Sequence, residues 1–137
     1  MKFSQIKKTI ANTGLVVRVR SFFAQDFFQN AIVRWLLISS LVANLIIWFG
    51  LKIFIVPVDL PIILHYNVYF GVDMLGDWRQ VYILPLLGLI LLIINLSLAL
   101  HFYSQKERIA SHILLMATLM LQLSLLVAAI SVIIINY

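Results

Sequence analysis

Residues 109–135 read IASHILLMATLMLQLSLLVAAISVIII, an unbroken run without a single Asp, Glu, Lys or Arg. As an α-helix rising 1.5 Å per residue it would be about 40 Å long, more than the ~30 Å thickness of a bilayer's hydrocarbon core. Leu, Ile and Val fall on every face of that helix, so hydrocarbon rather than a water-soluble partner is its expected surroundings. Being long for a level crossing, it should tilt or project slightly. Two further stretches, 35–56 and 82–103, are also long and mainly apolar, with Lys52 the one charged residue in them. A lipid-exposed open sheet would leave its edge amides unpaired, and the continuous apolar runs lack the alternation of a membrane barrel. The expected fold is therefore all-α integral membrane: three transmembrane helices with an amphipathic N-terminal interfacial helix and a membrane-proximal outer loop.

Composition agrees. Hydrophobic residues make up 64% of the 137 positions and charged residues 11%, with a mean hydropathy of +1.08, against roughly half apolar and a quarter charged in a soluble domain. Too little remains outside the apolar runs for a separate soluble core, so residues 1–137 read as one membrane domain. It divides into a basic cytoplasmic arm 1–34, spans 35–56, 82–103 and 109–135, an outer lid loop 57–80 and an inner loop 104–108. The absence of cysteine excludes disulfides, thiolate metal sites, thiol nucleophiles and S-palmitoylation. The net charge of +5 resembles a nucleic-acid signal until it is located: Lys2, Lys7, Lys8, Arg18, Arg20 and Arg34 all precede the first span. There they are expected to meet anionic lipid head groups, with Lys7, Lys8, Arg18, Arg20 and Arg34 as the contacts, and no nucleic acid is expected as a partner.

The same charges orient the bundle. The arm and the inner loop, with Lys106 and Arg108, carry most of the basic residues, whereas the outer loop carries Asp59, Asp73 and Asp77 against Arg79. Both basic segments fall on one side of a three-pass layout, which places the N-terminus in the cytoplasm and Tyr137 outside, in a cell (inner) membrane. Lys52, near the outer end of the first span, is expected to snorkel to the interface. The arm has no small-residue cleavage site and is expected to stay attached. Phe23, Ala24, Phe27, Phe28 and Ala31 share one face of a helix, with Gln25, Asp26, Gln29 and Asn30 on the other, the pattern of a helix lying on the inner leaflet before the chain turns in at Arg34 and Trp35.

The outer loop is unusually apolar, with Ile62, Ile63, Leu64, Val68, Phe70, Met74 and Leu75 among Tyr66, Tyr69 and Trp78. Residues of that kind are expected to fold back as a lid on the outer face of the bundle. Pro57 and Pro61 stop the first span, and Gly71 and Gly76 supply turns. Asp77, three residues before Gln80, has the spacing of a capping box at the start of the second span. His65, Tyr66, Asn67, Asp73 and Trp78 are the candidate lid, ligand or partner contacts. His65 is expected to pin the lid through Asn67 or Asp73. One histidine and the carboxylates of Asp59, Asp73 and Asp77 do not have the spacing of a metal site, and neither a metal nor a cofactor is expected.

Within this loop Pro61, His65, Tyr66, Asn67, Gly71, Asp73 and Gly76, followed by Leu84-Pro85 at the opening of the next span, resemble the pattern after the first span of the DUF1648 membrane proteins. That family is largely uncharacterised, so the resemblance implies a bacterial cell-membrane location rather than an activity.

Each span also carries an amide. Counted inward from the outer boundary, Asn44, Asn95 and Gln122 lie at a similar depth, near 20 Å at 1.5 Å per residue, and are expected to form an interhelical polar layer. Ser39 with Ala43 and Ser124 with Ala128 have a spacing that permits close helix approach. His101 and His112 flank the inner loop, where Glu107 is expected to pair with its basic neighbours. No phosphate loop, nucleophile elbow or His-Glu-x-x-His motif occurs, so no catalytic residue and no enzymatic activity are expected. The functional expectation is a non-enzymatic accessory, structural or regulatory subunit with a membrane-protein partner or a second copy of itself. The alternatives are a minimal oligomeric transporter or channel, or a sensor that uses the outer loop.

Overall fold

The computed structural model describes residues 26–137. Lys7, Lys8, Arg18, Arg20 and the beginning of the expected interfacial helix lie outside the described residues. Asp26–Gln29 form a single helical turn, which Asn30 ends. The Asn30 side chain accepts a hydrogen bond from the Ile32 amide (2.9 Å) and so caps the next helix, α1, Ala31–Phe54. Arg34 therefore lies exposed in the first turns of α1 rather than ahead of it.

Two more long helices follow, α2, Ile83–Ser104, and α3, Arg108–Asn136. A 3-10 turn, Trp78–Tyr82, leads directly into α2. All three helical segments are long and apolar enough to cross a membrane. Buried positions recur at steps of three and four: Pro85, Gly88, Leu92 and Ala99 on α2, and Ser111, Leu115, Thr118, Gln122 and Ala129 on α3. That 3.5-residue period is the seam of an antiparallel helix pair, and its small residues let the two backbones approach closely. From α1, Ser40, Ala43, Asn44, Ile47 and Leu51 are buried on the same spacing. Within a membrane, where lipid tails are as apolar as leucine, contact packing and hydrogen bonds rather than escape from water would hold such a bundle together. Outward-facing Phe49, Ile53, Ile113, Met120 and Ile134 remain exposed.

The α2–α3 connection is closed by backbone geometry. Glu107 N–H bonds Phe102 O and Lys106 N–H bonds Tyr103 O, with Lys106 in the left-handed region at φ 67°, the pairing of a Schellman motif. Glu107 makes no ion pair among the described residues. His112 bonds back to the Arg108 carbonyl, and His101 lies edge-on to Phe102.

The outer connection corrects the all-α expectation. Ile62–Asn67 (β1) and Gly71–Gly76 (β2) form a two-stranded antiparallel sheet. Asn67 pairs with Gly71 across the Val68–Phe70 tip. Asn67 accepts from the Tyr69 amide (2.8 Å), and Gly71 takes φ 78°, so an Asx-type turn and a left-handed glycine close the loop. Register slips on one strand at Leu64 and is recovered on the other at Asp73. These two compensating bulges keep the ends of the ladder aligned while interrupting alternation in the middle. Asp77 caps the start of the helical segment, but through the Arg79 amide (2.8 Å) and at the 3-10 turn.

At the hairpin end of the bundle Ile47 and Leu51 of α1, with Ile55 just beyond its end, meet Val81, Ala129 and Val132 in one buried cluster, with Leu64, Trp78 and Tyr82 packed against it. The hairpin is thus seated on the helices by β1 and by the turn that follows β2.

Candidate functional site

Two features could carry function, a buried amide pair between the helices and the hairpin above it. Asn44 is 2% exposed and Gln122 0%. The Asn44 amide donates to Gln122 Oε1 (3.1 Å) and to the Pro85 carbonyl (2.9 Å), and the Gln122 amide donates to the Gly88 carbonyl (2.7 Å). All three helices are joined in this way. Gly88 makes room for it: a Cβ there would lie 2.8 Å from Asn44 Nδ2, 2.8 Å from Gln122 Oε1 and 2.9 Å from Leu125 Cδ1. Neutral amides satisfied by one another and by carbonyls carry no exchangeable charge, so their chemistry here is that of a structural latch.

Asn95 lies apart from this pair and donates to Thr118 Oγ1 instead (3.0 Å). The difference follows from where the second helical segment begins. Counted from Trp78 through the 3-10 turn at about 2.0 Å and then 1.5 Å per residue, Gly88 lies ~18 Å deep and Asn95 ~28 Å. The partner at the level of Asn44 and Gln122 is therefore backbone, with no side chain to betray it in the sequence. The role of Thr118 as the acceptor for Asn95 has little trace in the sequence. Its position four residues from Gln122 on the same face is the only signal.

The hairpin is secured from an unexpected quarter. Asn136, at the end of α3, accepts from Ile63 N–H (2.8 Å) and donates to Ile63 O (2.6 Å) and Val132 O (2.8 Å). One side chain thus satisfies both backbone groups of a strand residue, as a neighbouring strand would. Tyr82 stacks on Trp48 (ring centroids 5.6 Å apart) and meets Trp78 edge-on (6.4 Å), while the Arg79 guanidinium lies 5.2 Å from the centre of the Trp78 ring. These contacts put Trp78 at the base of the hairpin.

His65 Nδ1 lies 2.7 Å from Asp73 Oδ1. The two side chains are 62% and 40% exposed, so the pair tethers the bulged centre of the hairpin weakly, at most about 1 kcal/mol. Asn67 serves the tip turn instead, and Tyr66 is exposed. Beyond them Val68 (85%), Tyr69 (90%) and Phe70 (84%) project with almost no intramolecular contact. Among the described residues no three His, Cys, Asp or Glu side chains gather closely enough to hold a metal ion.

No protein-family model, curated protein or solved structure matches the chain.

Proposed function

We propose that this chain is a three-pass protein of a bacterial cell membrane, with its N-terminus in the cytoplasm and Tyr137 outside, that acts as a non-enzymatic accessory or regulatory subunit. Its hairpin presents Val68, Tyr69 and Phe70 to a membrane-protein partner or to a second copy. The orientation is supported by the basic residues, since Lys106 and Arg108 sit at the α2–α3 turn and the hairpin lies at the opposite end. The location is supported by the resemblance of the Pro61–Gly76 loop to the DUF1648 membrane proteins.

The observation that carries the reading is the contrast within the hairpin. Its base is held by Asn136 and by the Trp78–Tyr82 contacts, yet its tip exposes three consecutive large apolar side chains. Aromatic residues displayed on a supported turn are the kind that anchor protein interfaces. A photoreactive amino acid placed at Tyr69 and activated in native membranes should give a discrete adduct of higher mass. That adduct should vanish when Phe70 is replaced by aspartate. A strictly monomeric product, or adducts with lipid only, would contradict the reading.

The alternative of a transporter or channel requires a polar path through the helices. The Asn44–Gln122 pair is close-packed against Gly88 and internally satisfied, which favours packing over conduction.

A further inference from the structure

We propose that the groove between the hairpin and the α2–α3 pair is a binding site for one acyl chain of an outer-leaflet phospholipid. The proposal deepens the membrane reading above and rests on it.

Two hollows of about 320 Å³ and 270 Å³ lie beside Leu64, and Leu64, Leu84 and Val132 line both. The first is completed by Met74 and Val81 among others, the second by Ala128 and Ser131, with His65 and Tyr66 on the hairpin side. Their position decides what can fill them. Leu84, Ala128 and Val132 belong to helices long and apolar enough to span a bilayer. Ala128 lies eight residues, ~12 Å, inward from the end of α3 at Asn136, within the chain region of a single leaflet.

The flanking surface of α3 is open to the same hydrocarbon, with Val127 65% and Ile134 70% exposed. Water gains little in a space walled mainly by Leu, Val, Ile and Met, with Gln80 the polar wall of the first hollow and His65, Tyr66 and Ser131 of the second, and leaving it empty forfeits the contacts of every wall atom. The apolar material at that depth is an acyl chain. The volumes fall one just above and one just below the ~300 Å³ floor usual for a compact small-molecule site, and two hollows that share Leu64, Leu84 and Val132 suit an unbranched chain better than a rounded ligand. The hairpin distinguishes the site from ordinary lipid contact. Leu64 and Tyr66 cover a chain that α2 and α3 alone would leave open, and His65, Tyr66 and Ser131 provide a polar margin where its ester end would emerge.

The test uses the full chain reconstituted in phosphatidylethanolamine–phosphatidylglycerol vesicles that contain a trace of phosphatidylethanolamine with a photoreactive group in its chain. A parallel arm uses a free fatty acid carrying the same group. Labelling by the phospholipid should concentrate on Leu64, Leu84 and Val132 rather than on Val127 and Ile134 of the open face. Ala128→Trp, which fills the groove, should abolish the concentrated labelling, whereas Val127→Trp should leave it unchanged. Uniform labelling of the wild-type protein, or labelling of the groove by the fatty acid alone, would overturn the proposal without any variant having to fold. Loss of the Tyr69 adduct described above would leave this pattern untouched. A chain that separates from the vesicles would overturn the groove and the membrane reading together.

Discussion

Replacing Gly88 with valine is expected to destabilise the bundle by roughly 2–4 kcal/mol, with alanine costing about half as much. In a soluble helix glycine to alanine is favourable by up to ~1 kcal/mol, so the predicted sign is opposite to propensity. The reason is local. A Cβ at this position would stand 2.8 Å from both amide side chains and 2.9 Å from Leu125, and neither amide can swing aside without breaking the bonds that tie α1 and α3 to α2. Each bond lost in a membrane interior is worth about 0.6–2 kcal/mol. Reversible unfolding in mixed micelles measures the effect. Gln122→Ala should cost stability alone, yet combined with Gly88→Ala it should cost less than the two separate losses added, because both act on one contact. Leu87→Ala, on the exposed face of α2, should change little. An unaltered unfolding midpoint for Gly88→Val would show that the three helices do not meet at this level.

The second large effect is expected at the end of α3. Asn136→Leu keeps side-chain size but removes both hydrogen bonds that this side chain makes with the Ile63 N–H and C=O. An unsatisfied buried polar group costs about 1–3 kcal/mol. Ile63 is only partly buried, so a weakening of about 2 kcal/mol is the reasonable expectation, or roughly thirtyfold faster amide exchange at β1 if the hairpin opens locally. Exchange followed by mass spectrometry in nanodiscs should show acceleration across 62–67 and 71–76 with the helix interiors unchanged. Asn136→Asp keeps an acceptor for Ile63 N–H and should show a smaller change. Equal protection in all three proteins would mean that the hairpin is held by Leu64 and Trp78 alone.

The helices are legible in the sequence because a span depends on length and apolarity, which can be counted along the chain. The hairpin is harder to see. Ile62, Leu64 and Tyr66 alternate with Ile63, His65 and Asn67, so both faces carry apolar residues, and bulges at Leu64 and Asp73 disturb the period that would mark a strand. The amides show a related limit. Depth can be estimated when the end of a helix is known, and because the second segment starts at Trp78 rather than Tyr82, Asn95 lies deeper than Asn44 and Gln122. The acceptors that Asn44 and Gln122 use, Pro85 O and Gly88 O, are backbone atoms without residue identity. Asn136 looks like a polar end to an apolar run, and its role exists only once β1 is beside it. Asp73 is legible as a partner of His65 because the two are close in sequence and chemically matched, although Asn67 fits the sequence equally well.

Because the chain has no cysteine, single cysteines at Tyr69, Gln105 and Tyr137 report topology without a background. With an impermeant maleimide applied to intact cells, the 69 and 137 positions should label, and position 105 should label only after the membrane is opened. Equal accessibility at 105 and 137 would mean that α3 does not cross, and the three-span account would fail.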